Sequence, residues 1–149
     1  MEIESSRFGV VDVDSDRIIT FPNGLLGFPG ASTFALIQAG EESYFFWLQC
    51  TSDPNLAFVV TDPTTFFADY EVPVRQEAAT EICLEDERHV QMFVICNKVG
   101  EWLTGNLLGP LVINVQTKLG TQVVMTEKKW TTRQPLLKLT AERPLAKSA

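Results

Sequence analysis

The 149-residue chain predicts a mainly all-β fold: a compact, single-domain, β-barrel-like unit with one short helix. Three observations predict it. Apolar runs of strand length, rich in β-branched and aromatic residues, recur along the chain. Turn signals built on Asp-Pro, Gly and Pro separate them at roughly ten-residue intervals. Only one stretch has the composition of a helix, and no apolar run approaches the ~18 residues that cross a bilayer.

The elements follow in order. Glu2-Ile3-Glu4 alternates, and so does Val11-Asp12-Val13-Asp14 ahead of Ile18-Ile19, with Ser15-Asp16 as the turn between the runs. Phe21 to Gly30 holds two prolines and three glycines. It reads as an ordered crossover, because Phe21, Leu25, Leu26 and Phe28 need burial. Phe34 to Ile37 is a short strand and Gly40 to Ser43 a loop. Tyr44 to Cys50 and Ala57 to Thr61 form a hairpin. Ser52-Asp53-Pro54-Asn55 turns between them and Asp62-Pro63 ends the second strand. Val74 to Cys83, behind Pro73, carries the helix formers Gln76, Glu77, Ala78, Ala79 and Glu81. Glu85 to Arg88 is polar and leads into a strand over Val90 to Cys96. Trp102–Leu108, Leu111–Val115 and Thr121–Thr126 are three further strands. Pro110 breaks between the first two, and Lys118-Leu119-Gly120 turns between the last two. The domain spans 1–137. Residues 138–149 are polar, with little periodicity, and read as a flexible tail.

Charge is divided unevenly. Residues 1–87 hold 16 acidic and 3 basic side chains, whereas residues 88–149 hold 3 and 9. An acidic patch of that kind repels nucleic acid and attracts a basic partner, although a solvated acidic surface that aids solubility has the same composition. Cys50, Cys83 and Cys96 are odd in number and widely spaced. They read as reduced thiols, with Cys50 and Cys96 packed in strands. The N-terminus has no basic segment followed by an apolar one, so no signal peptide is expected.

No residue pattern points to catalysis. Asp12, Asp14 and Asp16 have calcium-loop spacing, but Arg17 stands at the turn-glycine position and Asn23 at the final glutamate, so no metal is expected. His89 is the only histidine and reads as a surface or edge residue. The glycines at 24, 27 and 30 follow no strand-to-helix phosphate loop. Asp69 and Glu71 read as a solvated pair. Asn106 and Asn114 lie in apolar runs and are expected to clamp backbone. Trp47, Trp102 and Trp130 are mainly core, and Trp130, among lysines, is the one of the three expected nearest the surface. The cluster Phe66-Phe67-x-x-Tyr70, flanked by Asp62, Asp69 and Glu71, has two readings. It is a binding patch for a basic, partly apolar partner, with Tyr70 as anchor, or it plugs the end of the barrel. One phenylalanine is expected to plug and one to be partly exposed.

Several segments together resemble the flagellar assembly factor FliW family. They are Phe45-Phe46-Trp47-Leu48-Gln49, Asp53-Pro54, Leu56-Ala57-Phe58-Val59-Val60, Asp62-Pro63 and Tyr70. Phe21-Pro22-x-Gly24…Gly27-Phe28 resembles the family's early element. Asn106-Leu107-x-Gly109-Pro110-Leu111-Val112-Ile113-Asn114, followed by Gly120-Thr121-Gln122-Val123, resembles its late one. The departures are Gly105 and Gly109 for alanine, Cys50 for a small polar residue, and Trp130 near an expected tyrosine. The resemblance implies a β-barrel-like, cytoplasmic, non-enzymatic protein without cofactor, monomeric when free. It implies that flagellin is one partner and the RNA-binding regulator CsrA the other. Free protein would relieve CsrA's repression of flagellin translation from a surface away from the RNA groove, with no nucleic acid or membrane bound directly. The alternative from another class is a small-ligand-binding β-barrel, or a hydrolase with an unrecognised acidic site. A direct mimic of nucleic acid is a further alternative.

Overall fold

The computed structural model describes residues 1–40 and 43–139. Eleven strands are assigned among them: β1 Glu2–Ser5, β2 Gly9–Asp12, β3 Ile18–Thr20, β4 Thr33–Gln38, β5 Phe45–Cys50, β6 Ala57–Thr61, β7 Val90–Val99, β8 Trp102–Gly105, β9 Leu111–Asn114, β10 Leu119–Gln122 and β11 Gln134–Lys138. One α-helix, α1, spans Gln76–Glu81. The chain is a closed seven-strand barrel in the order β7-β6-β5-β4-β3-β10-β9, with β9 returning to β7. All its pairings are antiparallel except β3–β10, where Leu119 lies opposite Thr20 in parallel.

β7 makes closure possible because it has two partners on one side. Val90–Phe93 pairs with β9, and Cys96–Val99 pairs with β8, which carries β11 on its far edge. Along the strands, side chains alternate between inside and outside. Phe34, Leu48, Cys50, Val60, Phe93, Leu111 and Ile113 fill the interior with Phe21 and Leu25. The outward residues are also apolar, which is why β4 to β7 read as nearly continuous hydrophobic runs. Three outer layers cover them. The β1–β2 hairpin lays Ile3 and Val11 over Ala35 and Ile37. Phe8, Leu136 and Leu137 cover Trp47, Val59 and Leu103. Residues 67–72 and 123–130 cover Val94 and Leu107.

The Phe21–Gly30 crossover is ordered, and Gly24 shows why it needs glycine. Its φ is +69°, and a Cβ there would lie 2.9 Å from the Phe28 carbonyl oxygen. Such a φ is costly for any residue bearing a Cβ. Gly120 is required differently, since its Cβ would lie 2.5 Å from the Phe21 ring. Phe21 and Leu25 are buried as expected. Phe28 is exposed and Leu26 is 62% exposed, against expectation. The pair lies where the crossover turns outward through Gly27. Pro22 precedes the turn and is exposed, and Pro110 sits buried at the entry to β9.

Other boundaries moved. The expected helix over Val74–Cys83 shortens to α1, because Pro73 to Arg75 is extended. The strand expected over Thr121–Thr126 begins instead at Leu119, since the turn falls at residues 115–118. β11 falls where no strand was expected. Trp102, expected in the core, is 45% exposed near the outer end of β8. The loop expected at Gly40–Ser43 and the tail expected at 138–149 fall partly outside the described residues. Lys138 itself ends β11.

Candidate protein-binding surface

Asp62 terminates β6 and starts a 3-10 turn over Pro63–Thr65. Its Oδ1 accepts from the Thr64 N–H at 2.9 Å and the Thr64 hydroxyl at 2.6 Å. Its Oδ2 accepts from Gln91 Nε2 at 3.0 Å. Asp62 is thus a capping residue. Beyond it the chain folds back on the barrel. Phe66 lies 6.1 Å from the Phe45 ring and Phe67 packs edge-on to Trp130 at 5.1 Å. Both phenylalanines are half-buried, so each is partly exposed and neither is the fully buried plug expected of one of them.

Tyr70 is not an exposed anchor. It is 2% exposed, its ring meets Trp130 edge-on at 5.3 Å, and its hydroxyl donates to the Leu107 carbonyl at 2.7 Å. Burial, and then the negative charge of Glu127, push its pKa up. The flanking charges do stay in water: Asp69 and Glu71 are exposed. The ring between them turns the other way, into the cluster of Val94, Leu107 and Met125. Trp130 shares this fate. Expected to be the tryptophan nearest the surface, it is 6% exposed, against 45% for Trp102, with the Lys129 ammonium 4.9 Å over its ring. Lys129 also pairs with Asp69, and that hydrogen bond holds the Asp69 carboxyl below its ordinary range. The hydrophobic residues of the expected patch therefore form an outer core, and its acids form the rim.

The rim borders two grooves on either side of Pro73. One, of about 560 Å³, is lined by Glu71, Val72, Val74, Glu87 and Met92. The other, of about 450 Å³, lies between α1 and residues 121–127 and is lined by Arg75, Glu77, Glu81, Val124 and Glu127. Sequence reasoning placed the acids in the first half of the chain. It did not place Glu127 among them, because residue 127 and α1 line one groove only through long-range folding.

α1 is held beside this surface by Asn114. Its Nδ2 donates to the carbonyls of Ile82 and Cys83 at 3.1 and 3.2 Å, and its Oδ1 accepts from the Gln116 N–H at 2.9 Å. The backbone clamp expected of Asn114 is present. Asn106 has a lesser part, accepting from the Leu108 N–H at 3.1 Å. Asp14 caps a 3-10 turn by accepting from the Asp16 N–H at 3.1 Å. Among the described residues, no three His, Cys, Asp or Glu side chains converge as a metal site would need. No helix among them is long and apolar enough to cross a membrane.

Three comparisons bear on this architecture. The model of the FliW protein family matches residues 2–136. A flagellar assembly factor FliW from Magnetococcus marinus is 40% identical over 140 residues, covering 92% of this chain and 85% of the relative. One from Treponema denticola is 36% identical over 139 residues, covering 92% and 94%. A crystal structure of the flagellar assembly factor FliW superimposes with a TM-score of 0.82 at 30% identity, covering 92% of this chain and 97% of that one. On barrel, outer layers and sequence alike, this chain belongs to the FliW family of flagellar assembly factors.

Proposed function

We propose that this protein is a non-enzymatic regulatory binder acting in the cytoplasm. It holds flagellin and, when free of it, binds a CsrA-type RNA-binding regulator and relieves repression of flagellin translation without competing for the RNA groove. Family membership supports the setting in flagellar assembly. The observation that carries the rest is the acidic rim, in which Asp69, Glu71, Glu77, Glu87 and Glu127 face solvent around two grooves. Such a surface steers a basic protein toward itself and sets negative potential against RNA phosphates. Asp69 and Glu71 are the rim residues we assign to partner contact, with Phe66 and Phe67 behind them.

The test is a titration of this protein into a fixed CsrA–RNA complex at several RNA concentrations, with and without flagellin. Inhibition that excess RNA does not fully reverse, and that flagellin removes, is the expected result. Full reversal by RNA would instead favour a groove mimic. Absence of any binding to either protein would refute the proposal.

A further inference from the structure

The groove beside α1 has a floor that the barrel does not use. Beyond β10 the chain continues its ladder through alternate residues. Val123 N–H donates to the Pro110 carbonyl at 2.9 Å, and Met125 N–H donates to the Leu108 carbonyl at 2.8 Å. In an antiparallel ladder the intervening residues direct their N–H and C=O to the opposite side. There β3 has already left, since it meets β10 only at Leu119. Among the described residues, no hydrogen bond reaches the backbone N–H or C=O of Val124 or Thr126. α1 stands off from this edge, leaving the cavity of about 450 Å³ between them. Val124, in its middle, is 66% exposed.

Unpaired edges invite another strand, and folded proteins commonly cover, shorten or charge them for that reason. The charge here is selective. Glu77, Glu81 and Glu127 line the groove against one base, Arg75. Glu81 is already engaged, accepting from Asn23 and from the Thr121 hydroxyl, while Glu77 and Glu127 are exposed.

We propose that the edge over Val124–Thr126 is a docking site for an extended, cationic segment of a partner protein, which adds to it as a strand. The ladder donors and acceptors supply main-chain pairing, Val124 supplies the apolar contact, and Glu77 and Glu127 select lysine or arginine. The site does not depend on which protein carries the segment.

The test uses blocked nine-residue peptides with a repeating Lys-Thr-Val-Thr pattern. Controls are the same peptide with Glu for Lys, and the Lys peptide N-methylated at alternate residues. The Val124 and Thr126 amides are followed by nuclear magnetic resonance and hydrogen exchange. The Lys peptide is expected to shift and protect both amides, the Glu peptide to leave them unchanged, and N-methylation of one face to abolish the effect. Glu77→Lys with Glu127→Lys should weaken binding about tenfold. If the Lys peptide leaves both amides unprotected, or if the Glu or N-methylated peptides protect them equally, the proposal is overturned. Because the N-methylated peptide removes ladder donors from the ligand, the result does not rest on a protein variant that fails to fold.

Discussion

Tyr70 shows how far one residue's role depends on where its ring turns. Its neighbours Asp69 and Glu71 are exposed, yet it fills the outer core and bonds to Leu107. Tyr70→Ala is therefore expected to destabilise the domain by about 3–5 kcal/mol, as loss of a buried aromatic does. Tyr70→Phe, losing only the hydrogen bond, should cost about 1 kcal/mol. Urea unfolding of both variants checks this. Burial also raises the pKa of Tyr70 above 10.0 and that of Cys96 from 9.0 to about 12. Groups whose folded pKa is raised contribute fully below the unfolded value and lose that contribution as pH rises through the shifted range. Stability is expected to hold up to about pH 9 and then fall, with the fall shallower in Tyr70→Phe and Cys96→Ala. Cys96 and Cys50 are buried whereas Cys83 is exposed. A thiol reagent should label one cysteine in the native protein and all three in denaturant. Tyr70 was legible in the sequence as a member of an aromatic cluster. Its burial was not, because charged neighbours in a loop carry no periodicity to say which way the ring points. Trp130 was ranked too near the surface for the same reason, its lysine flanks concealing the edge-on contacts with Phe67 and Tyr70.

At the level of elements, α1 is the least self-sufficient. Six residues are too few for a helix to persist by itself in water, and Arg75 at its N-cap makes no side-chain cap bond. Asn114 supplies the anchorage from β9. Asn114→Ala would leave the Ile82 carbonyl with the Thr117 hydroxyl alone, at 2.9 Å, and the exposed Cys83 carbonyl to water, and is expected to cost about 1–2 kcal/mol. Amides of residues 76–84 should exchange faster in that variant than those of β5 or β6, which hydrogen exchange resolves. β4 to β6 were legible because apolar runs and Asp-Pro turns punctuate them. β11 was not, since Pro135 and the flanking polar residues lower its strand signal and its pairing with β8 is bulged between Pro135 and Leu137. The starts and ends of α1 and β10 escaped for a related reason: packing against distant partners fixes them, and local sequence does not record those partners.

For the whole molecule, charge governs encounter more than fold. The net charge of −7 is drawn largely from the first 87 residues, and on the structure four of those acids, Asp69, Glu71, Glu77 and Glu87, share a rim with Glu127. Association with a basic partner is expected to slow steeply as salt rises from low to physiological strength, while dissociation changes less. Asp69→Lys with Glu71→Lys should slow association further and lower the melting temperature only slightly, since the Asp69–Lys129 pair it breaks is exposed. Stopped-flow mixing at several salt concentrations measures both. An association rate indifferent to salt would remove the electrostatic part of the proposed function. The barrel class was readable from strand number and spacing. Its closure was not, because β7 dividing itself between β9 and β8 leaves no local mark.

The seam between β3 and β10 has a consequence for synthesis. It joins Thr20 to Leu119, so nearly the whole chain must leave the ribosome before the cylinder seals. Until then β3 to β7 form an unclosed meander, apolar on both faces, and contacts so distant in sequence form slowly. The nascent chain is accordingly most vulnerable after β7 has emerged and before β10 has. Pauses in translation between those points would lengthen the exposure, whereas pauses after β10 has emerged would not.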